Sequence, residues 1–270
     1  MTDLELAMLL ADAADAITLP AFDSSTLEVS TKGDGTVVTT ADLAAETAMR
    51  DLLSRHAPDD GVVGEEHGVT GADFRRWYLD PIDGTSSFAA GRSEWATMIA
   101  VEDFDTLTAA VVSSPALGRR WFASRGEGAW ARSLLGGEEI PLRVSHVDSV
   151  SMARVSAWPP AHRIGPTAAR SVDAFLEMAG VAAGAVRGRD VKPTRDTGFP
   201  NAGILIAAGA LDGFLLCGGG PWDVAPLALV VEEAGGRFSD LDGGRRVDTG
   251  GALFTNGPIH DTLLAWARED

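Results

Sequence analysis

The sequence is poor in cysteine and in basic residues, and it contains no long apolar run. Cys217 is the only cysteine among 270 residues, which excludes an internal disulfide and a cysteine-ligated metal cluster. Lys and Arg number 22 against 39 Asp and Glu, which gives a formal net charge of −17. General binding to nucleic acid or to an anionic membrane needs a basic surface, so we expect neither partner. No apolar run approaches the roughly 20 residues that span a bilayer.

What is present is typical of an ordinary globular protein. The chain is long enough to bury a large core, and 45% of its residues are hydrophobic. Its N-terminus, Met-Thr-Asp-Leu-Glu, is acidic and lacks the basic region of a secretory signal. We therefore expect a cytoplasmic protein of one or two domains.

The most informative stretch is the apolar run Trp77–Leu79 followed by Asp80-Pro-Ile-Asp-Gly-Thr85. The run predicts a buried strand that ends at Pro81, because proline cannot donate to the ladder. Two carboxylates and the Ile82 carbonyl then stand together, and hard cations such as Mg²⁺ prefer oxygen ligands. Gly84 lets the backbone approach an anion closely. The stretch is a candidate metal–phosphate site, although an ordinary capped turn after a strand uses the same residue types.

Two further acidic elements each border a predicted buried element. Glu65-Glu66 follows the apolar pair Val62-Val63, at the end of a predicted strand. Asp223 opens the apolar segment Val224–Ala234, which has helix length and stops at Gly235-Gly236. A negative charge in the first turn of that helix suits the helix dipole. Three acidic elements, each beside a buried element, could converge on one site.

The rest of the pattern predicts a mixture of helices and strands. The predicted helices are Leu4–Leu19, Thr40–His56, about Thr167–Met178, Asn201–Ala208 and Ile259–Ala267, and the predicted strands are Trp95–Val101, Leu107–Ser113, Arg120–Ala123, Ala153–Trp158 and Leu211–Cys217. Pro20 is expected to end the first helix. Thr40 is the predicted cap of the second helix, which Glu46 and Arg50 support at i,i+4 spacing. A change of pattern near Ser145 divides the chain into an N-terminal α+β half, 1–145, and a C-terminal α/β half, 146–270.

Four motifs together resemble the inositol monophosphatase family of Mg²⁺-dependent phosphatases. They are Lys32-Gly-Asp-Gly-Thr-Val-Val-Thr-Thr-Ala-Asp42, Glu65-Glu66, the Asp80–Thr85 run, and Trp222-Asp223 with Glu233-Ala-Gly-Gly236. Their order and spacing match the family over nearly the whole chain. The resemblance implies an α+β fold, a layered αβαβα sandwich of the inositol monophosphatase and fructose bisphosphatase type. It also implies a phosphoric monoester hydrolase, commonly a homodimer, that Li⁺ inhibits.

The resemblance assigns metal ligands from both halves of the chain. Glu65, Asp80 and the carbonyl of Ile82 would hold a first Mg²⁺, and Asp80, Asp83 and Asp223 would hold a second. Family members often show a third, weaker metal near Glu65. The resemblance thus implies two or three Mg²⁺ ions in a site between the halves.

The same resemblance implies the catalytic residues. Thr85, paired with Asp42, would position the attacking water, and Glu65 would act beside them. The N–H groups of Gly84 and Thr85 would hold the phosphate. Lys32 would lie near the metal-bound water or the anion, and a solvated lysine is the alternative.

Departures from the family pattern concern the substrate. Members that act on polyols commonly carry Gly-Ser/Thr-Ala-Ala and an acidic residue seven positions before the last metal-binding Asp. This chain has Gly198-Phe199-Pro-Asn at the first place and Leu216 at the second. A buried site that loses a hydroxyl acceptor discriminates against polyols, so plain inositol monophosphatase activity is not expected. Together with Asp83 and Asp223, Phe199 and Leu216 are the predicted substrate-binding residues.

One segment resembles a particular branch of the family. Val111–Ala129 is similar to the actinobacterial histidinol-phosphate phosphatases, which usually carry an acidic residue where this chain has Phe199. Ser86-Ser87 also replaces the common Lys-Asn. We therefore predict a histidinol-phosphate-phosphatase-like enzyme for a small phosphate ester, with a more apolar pocket. The alternatives are a phosphatase of a specialised antibiotic, nucleoside or aminocyclitol pathway, an inositol monophosphatase or bisphosphate nucleotidase, and a non-catalytic binding protein on the same fold.

Overall fold

The computed structural model describes residues 1–22, 24, 27–33, 35–158, 172, 175, 177–178 and 202–268. The chain divides into two compact units, Met1–Ile140 and Pro141–Asp270. The boundary predicted after residue 145 falls just inside the second unit. Most of the predicted helix Thr167–Met178, and Phe199 with its neighbours, lie outside the described residues.

The first unit contains helices α1, Asp3–Phe22, α2, Thr40–His56, and α3, Thr85–Ala89. Helix α1 was predicted to end near Pro20, and it ends two residues later at Phe22, with Pro20 inside its last turn. A proline removes one intrahelical hydrogen bond, and one lost bond so near the end leaves the turn intact. The hydroxyl of Thr18 also donates to the carbonyl of Ala14 at 2.9 Å within the same helix.

Helix α2 has the predicted bounds but a different cap. Thr39, not Thr40, is the N-cap: its backbone is extended, with φ −116° and ψ 165°, and its hydroxyl accepts from the N–H groups of Ala41 and Asp42. The carboxylate of Asp42 accepts the Thr39 N–H at 2.9 Å, which completes a capping box. The predicted pair of Glu46 and Arg50 is confirmed at 2.7 Å.

The strands of the first unit form a two-stranded hairpin and an eight-stranded sheet. The hairpin pairs β1, Val29–Thr31, with β2, Val37–Thr39. The sheet contains β3, Gly61–Gly64, β4, Gly68–Thr70, β5, Arg75–Asp83, β6, Ala96–Asp103, β7, Thr106–Ser114, β8, Arg119–Ser124, β9, Gly128–Ser133, and β10, Ile140–Pro141. Its spatial order is β10-β9-β8-β7-β6-β5-β3-β4. Strands β3 and β5 are parallel. The pairs β5–β6, β6–β7, β7–β8 and β8–β9 are antiparallel.

Strand β5 continues beyond the position where it was predicted to end. It runs through Pro81 to Asp83, and its register with β6 shifts between Asp80 and Asp83. A proline is tolerated at such an irregularity because the ladder needs no N–H there. The prediction that the chain leaves the sheet at Pro81 is therefore wrong.

The core of the first unit lies between the two long helices and the sheet. Helices α1 and α2 contribute Leu6, Leu10, Met49 and Leu53, and the sheet contributes Trp77, Leu79, Ile99, Val101, Val111 and Phe122. A second buried cluster under α3 contains Ile82, Phe88 and Trp95, with Phe22 packed against it. The rings of Phe88 and Trp95 meet edge to face at 4.9 Å.

The second unit contains a four-stranded sheet with helices. Its strands are β11, Val155–Trp158, β12, Gly213–Cys217, β13, Arg237–Asp240, and β14, Gly251–Thr255, in the order β11-β12-β14-β13. Helices among its described residues include α4, Ala202–Ala207, α5, Pro221–Glu233, and α6, His260–Ala267. Strands β11 and β12 are parallel, and the other pairs are antiparallel. Among the described residues, no helix is long and apolar enough to cross a membrane.

Candidate active site

The parallel strands β3 and β5 bring two acidic motifs to one edge of the sheet. Gly64, the last residue of β3, pairs with Leu79 of β5. The N–H of Glu65 then donates to the carbonyl of Leu79 at 3.1 Å. Glu65, directly after β3, therefore lies beside the part of β5 that carries Asp80, near the carboxyl end of that strand. The sequence predicted an acidic motif at each strand, and the parallel register brings the two motifs together.

The end of β5 places two carboxylates close to each other. Asp80 is only 2% exposed, and its Oδ1 accepts the N–H of Ile82 at 2.9 Å. Asp83 is half-buried. One carboxylate oxygen of Asp80 and one of Asp83 lie within 4.8 Å of each other. Two oxygens at this spacing suit a hard divalent cation.

Gly84 makes the turn from β5 into helix α3. Its backbone is left-handed, with φ +91°, which favours glycine. A Cβ at this position would lie 2.7 Å from the carbonyl oxygen of Glu94. The carbonyl of Gly84 accepts the N–H groups of Ser87 and Phe88, which starts the helix at Thr85. The turn therefore needs glycine for two independent reasons.

The structure brings Thr85 and Asp42 together, as the resemblance implied. The Thr85 hydroxyl lies 3.2 Å from Asp42 Oδ1 and 3.1 Å from the carbonyl oxygen of Ile82. Asp42 is fully buried, on the first turn of α2. Burial raises the pKa of Asp42, hydrogen bonds from Thr39 and Thr85 offset part of the rise, and the charge of Glu65 adds to it.

Lys32 lies against the acidic turn that follows β3. Its Nζ is 2.9 Å from Glu65 Oε1 and 2.8 Å from Glu66 Oε1. Burial lowers the pKa of Lys32, but its hydrogen bonds to these carboxylates outweigh that effect and raise it. Burial raises the pKa of Glu66 to about 7, against the opposing hydrogen bond from Lys32 and with the help of the Glu65 charge. The structure thus places Lys32 at the acidic turn and not in solvent.

Glu46 also belongs to this region, although the sequence predicted for it only a pair with Arg50 that supports helix α2. It is fully buried, and its carboxylate accepts the N–H groups of Glu66 at 2.7 Å and His67 at 3.2 Å. The signal that could have found it is its position four residues after Asp42, on the same face of α2.

The remaining predicted site residues belong to the second unit. Asp223 lies in the first turn of α5, as predicted, and its Oδ2 accepts the N–H of Gly220 at 2.7 Å. Leu216 is buried near the end of β12, where it pairs with Trp158 and Ala252. Phe199 lies outside the described residues, so its predicted role stays a prediction.

Similarity to known proteins extends over nearly the whole chain. The model of the inositol monophosphatase family matches residues 2–270. The chain belongs to this family. It is 40% identical over 282 aligned residues to a histidinol-phosphatase of Streptomyces coelicolor, covering 100% of this chain and 98% of that protein. A histidinol-phosphatase of Mycobacterium tuberculosis is 39% identical over 269 residues, covering 97% of this chain and 96% of that protein.

A solved structure of the inositol monophosphatase family fold gives the same result. The extragenic suppressor protein SuhB of Bartonella henselae is 25% identical and superposes with a TM-score of 0.78, covering 98% of each chain. These similarities confirm the predicted family, the α+β fold class and the nearness to actinobacterial histidinol-phosphatases. The protein is thus a phosphoric monoester hydrolase that depends on Mg²⁺.

Proposed function

We propose that this enzyme removes phosphate from a small amino-alcohol phosphate, with histidinol phosphate as the first candidate substrate. The observation that carries the proposal is the whole-length similarity to the two histidinol-phosphatases, at 40% and 39% identity. Because each similarity covers at least 97% of this chain, both units lie within it. The similarity therefore includes the acidic motifs and also the C-terminal half, in which Phe199 and Leu216 are the predicted pocket residues.

Oxygen donors of this chain would hold the Mg²⁺ ions, two or three in number as the family resemblance implies. They are the carboxylates of Glu65, Asp80, Asp83 and Asp223 and the carbonyl of Ile82. The spacing of the Asp80 and Asp83 oxygens, within 4.8 Å, fits a shared hard cation. Bound Mg²⁺ would supply a more acidic water and would neutralise charge on the phosphate ester. Asp223 belongs to this set on the family resemblance.

Thr85 and Asp42 would orient the attacking water. The Thr85 hydroxyl has one proton and two acceptors within reach, Asp42 Oδ1 at 3.2 Å and the Ile82 carbonyl at 3.1 Å. Donation to the carboxylate leaves the hydroxyl lone pairs to accept an O–H of water. Glu65, at the neighbouring strand end, would accept a second hydrogen bond from the same water.

The backbone after Asp83 would receive the phosphate. Gly84 is exposed and has no side chain, so an anion can approach its N–H closely. The N–H groups of Ser87 and Phe88 are used inside helix α3. Among the preceding N–H groups, the family resemblance assigns those of Gly84 and Thr85 as the phosphate donors. Such backbone donors would stabilise the extra negative charge of the transition state.

A panel of phosphate esters tests the proposed substrate. Phosphate release would be measured from histidinol phosphate, inositol phosphates, nucleotides and sugar phosphates, with Mg²⁺ and after chelation. We expect histidinol phosphate to give the highest kcat/KM, in the ordinary enzyme range above about 10⁴ M⁻¹s⁻¹. A higher kcat/KM for an inositol phosphate would contradict the proposal.

A second candidate is a phosphatase of a specialised pathway, and one observation favours it. Leu216 places a buried aliphatic side chain where polyol-directed members carry an acid. A pocket without that acceptor suits an alcohol with a larger apolar portion. Slow but Mg²⁺-dependent hydrolysis of every ester in the panel would support this candidate over histidinol phosphate.

The assembly and location predicted from the sequence are also proposals. The family resemblance supports a homodimer, and light scattering would then give twice the 28.2 kDa mass of the chain. A mass of one chain at micromolar concentration would contradict it. The family resemblance also supports a cytoplasmic location, which cell fractionation tests.

A further inference from the structure

We propose that Glu46 is a positioning residue that fixes Glu65 beside Asp80 by binding the backbone of the turn between β3 and β4. The inference rests on the proposed function, in which Glu65 and Asp80 are metal ligands. Glu46 itself would not touch metal or substrate. Its part is to hold the backbone from which Glu65 projects.

The contacts of Glu46 tie this turn to helix α2. Its Oε2 accepts the N–H of Glu66 at 2.7 Å, and its Oε1 accepts the N–H of His67 at 3.2 Å. On the other side of the turn, the N–H of Glu65 donates to Leu79 of β5 at 3.1 Å. Three consecutive N–H groups are thus held, one by the sheet and two by one buried carboxylate.

Arg50 makes this arrangement electrostatically possible. Its Nε lies 2.7 Å from Glu46 Oε1, and its other nitrogens donate to Thr70 Oγ1 at 2.9 Å and to the carbonyl of Gly68. A buried carboxylate without a partner is costly, whereas a paired and hydrogen-bonded one is tolerated. Because Arg50 balances its charge, Glu46 can bind the acidic turn without adding a net negative charge there.

Helix α2 contacts two segments of the proposed site, the turn after β3 and the first residue of α3. Asp42 and Glu46 are both fully buried and stand one helical turn apart on the same face. Asp42 accepts a hydrogen bond from the hydroxyl of Thr85, which follows β5. Glu46 accepts a hydrogen bond from the N–H of Glu66, in the turn after β3. One helix therefore bonds both the turn that carries Glu65 and the residue that follows the proposed ligands at the end of β5.

Gly64 shows how closely the Glu46 carboxylate fits the end of β3. A Cβ at Gly64 would lie 2.0 Å from Glu46 Oε1 and 2.8 Å from a terminal nitrogen of Arg50. Alanine at this position would push the flexible end of Glu46 away from the turn. The variant Gly64→Ala thus displaces the contact while both charges remain in the protein.

The test is Mn²⁺ binding in the absence of substrate, followed by loss of the free-ion EPR signal. The variants are Glu46→Gln and Gly64→Ala, each measured beside the wild type. Asp60→Asn is the matched control. Like Glu46, Asp60 accepts a hydrogen bond from an arginine and one from another N–H group. The donors are Arg75 Nε at 3.0 Å and the indole N–H of Trp77 at 2.8 Å, at the opposite end of the same two strands.

We expect Glu46→Gln and Gly64→Ala to weaken Mn²⁺ binding by about 10- to 100-fold, the usual cost of losing a residue that orients a ligand. Turnover should recover substantially at saturating Mg²⁺, so the apparent metal constant changes more than kcat. The control should lose thermal stability and keep its Mn²⁺ affinity within about twofold, because it touches no ligand-bearing turn.

Two results would overturn the inference. One is wild-type Mn²⁺ affinity in folded Glu46→Gln, or in Gly64→Ala if the first variant does not fold. The other is an equal loss of affinity in the Asp60→Asn control. If the wild type binds Mn²⁺ but hydrolyses no ester of the panel, the proposed function fails, and the affinity comparison still decides the role of Glu46.

Discussion

Both units contain a pair of parallel strands, and the two pairs end in different chemistry. In the first unit β3 is followed directly by Glu65, and the parallel strand β5 carries Asp80 near its carboxyl end. In the second unit β11 ends at Trp158 and β12 at Cys217, after which comes Gly218–Gly220. The edge in the first unit carries carboxylates, which suit a cation, whereas the last residues of β11 and β12 are a tryptophan and a cysteine. Our proposal assigns most of the metal ligands to the first unit and the predicted specificity residue Leu216 to the second.

Buried carboxylates show a related contrast between the units. Asp212 in the second unit is as fully buried as Asp42 in the first. Its oxygens accept the Ser145 hydroxyl and both the backbone N–H and the guanidinium of Arg154. These partners join segments of the same unit, which is a structural role. Asp42 is bonded to the hydroxyl of Thr85 beside the β5 carboxylates. Burial of an acid therefore does not by itself indicate catalysis, and the role proposed for Asp42 rests on its bond to Thr85.

The largest effect is expected from Asp83→Asn in the first unit. The change removes a proposed ligand charge, so kcat/KM should fall by at least about 100-fold with the fold retained. Steady-state kinetics over a range of Mg²⁺ concentrations measure it. Asp103→Asn is the control, because Asp103 lies at the far end of the same strand pairing, opposite Arg75. Near-normal turnover of Asp83→Asn would contradict the proposal that Asp83 is a metal ligand.

The Thr85 hydroxyl should be the next most sensitive group. Thr85→Val keeps the shape and removes the donor to Asp42, so kcat should fall by about 10²- to 10⁴-fold, as for loss of proton-positioning groups. Thr85→Ser keeps the hydroxyl and should stay within about tenfold of the wild type. Equal activity of the serine and valine variants would show that the hydroxyl does not orient the water.

Substitution of Leu216 tests whether the second unit determines substrate specificity. Leu216→Ala should change the ratio of kcat/KM between two esters by about tenfold, because a few methylenes in a pocket discriminate to that extent. Leu215→Ala is the control. Leu215 belongs to the buried core cluster of this unit and points to the other face of β12. An unchanged ratio in Leu216→Ala, or an equal change in the control, would contradict a specificity role.

The smallest effect on activity is expected at His260, whose role is structural. Its ring lies between the hydroxyls of Thr255 at 2.9 Å and Ser239 at 3.0 Å. Burial, and then the charge of Arg237, lowers the pKa of His260 to about 4. An unfolded histidine titrates near 6.5, so between these values only the unfolded chain binds the proton. The free energy of unfolding should therefore fall as the pH drops from about 6.5 to about 4, by up to roughly 3 kcal/mol.

His260→Gln separates this contribution from the other acid-sensitive groups. The variant should lose that part of the pH dependence, since glutamine does not titrate, and should keep its kcat. Thermal unfolding of both proteins near pH 7 and near pH 5 measures the difference. Identical pH dependence in the two proteins would show that His260 does not titrate on unfolding.

The sequence allowed many elements to be predicted where local chemistry determines them. Helix α2 has its predicted bounds because Thr39 and Asp42 form a capping box at its start. The long apolar strands β6, β7 and β8 were also predicted. Short strands such as β4, Gly68–Thr70, were missed because three exposed residues carry no apolar pattern. Such strands are defined by their partners and not by their own residues.

The sequence indicated that the acidic motifs could converge on one site, but local pattern did not show which backbone contact joins two of them. The contact between Glu65 and Leu79 depends on the parallel register of β3 and β5, which follows from tertiary packing. The same reason explains why Glu46 was seen only as the partner of Arg50. Its bonds to the turn at Glu66 connect residues that are twenty positions apart. Local patterns identify the reactive groups, and register determines which backbone holds them.

The most direct measurement is phosphate release from histidinol phosphate by the purified enzyme, with Mg²⁺ and after its removal by chelation. Our account predicts rapid release with Mg²⁺, near-complete loss after chelation, and recovery when Mg²⁺ is restored. Release that continues undiminished without divalent metal would contradict the assignment of the acidic edge at Glu65, Asp80 and Asp83 as the metal site.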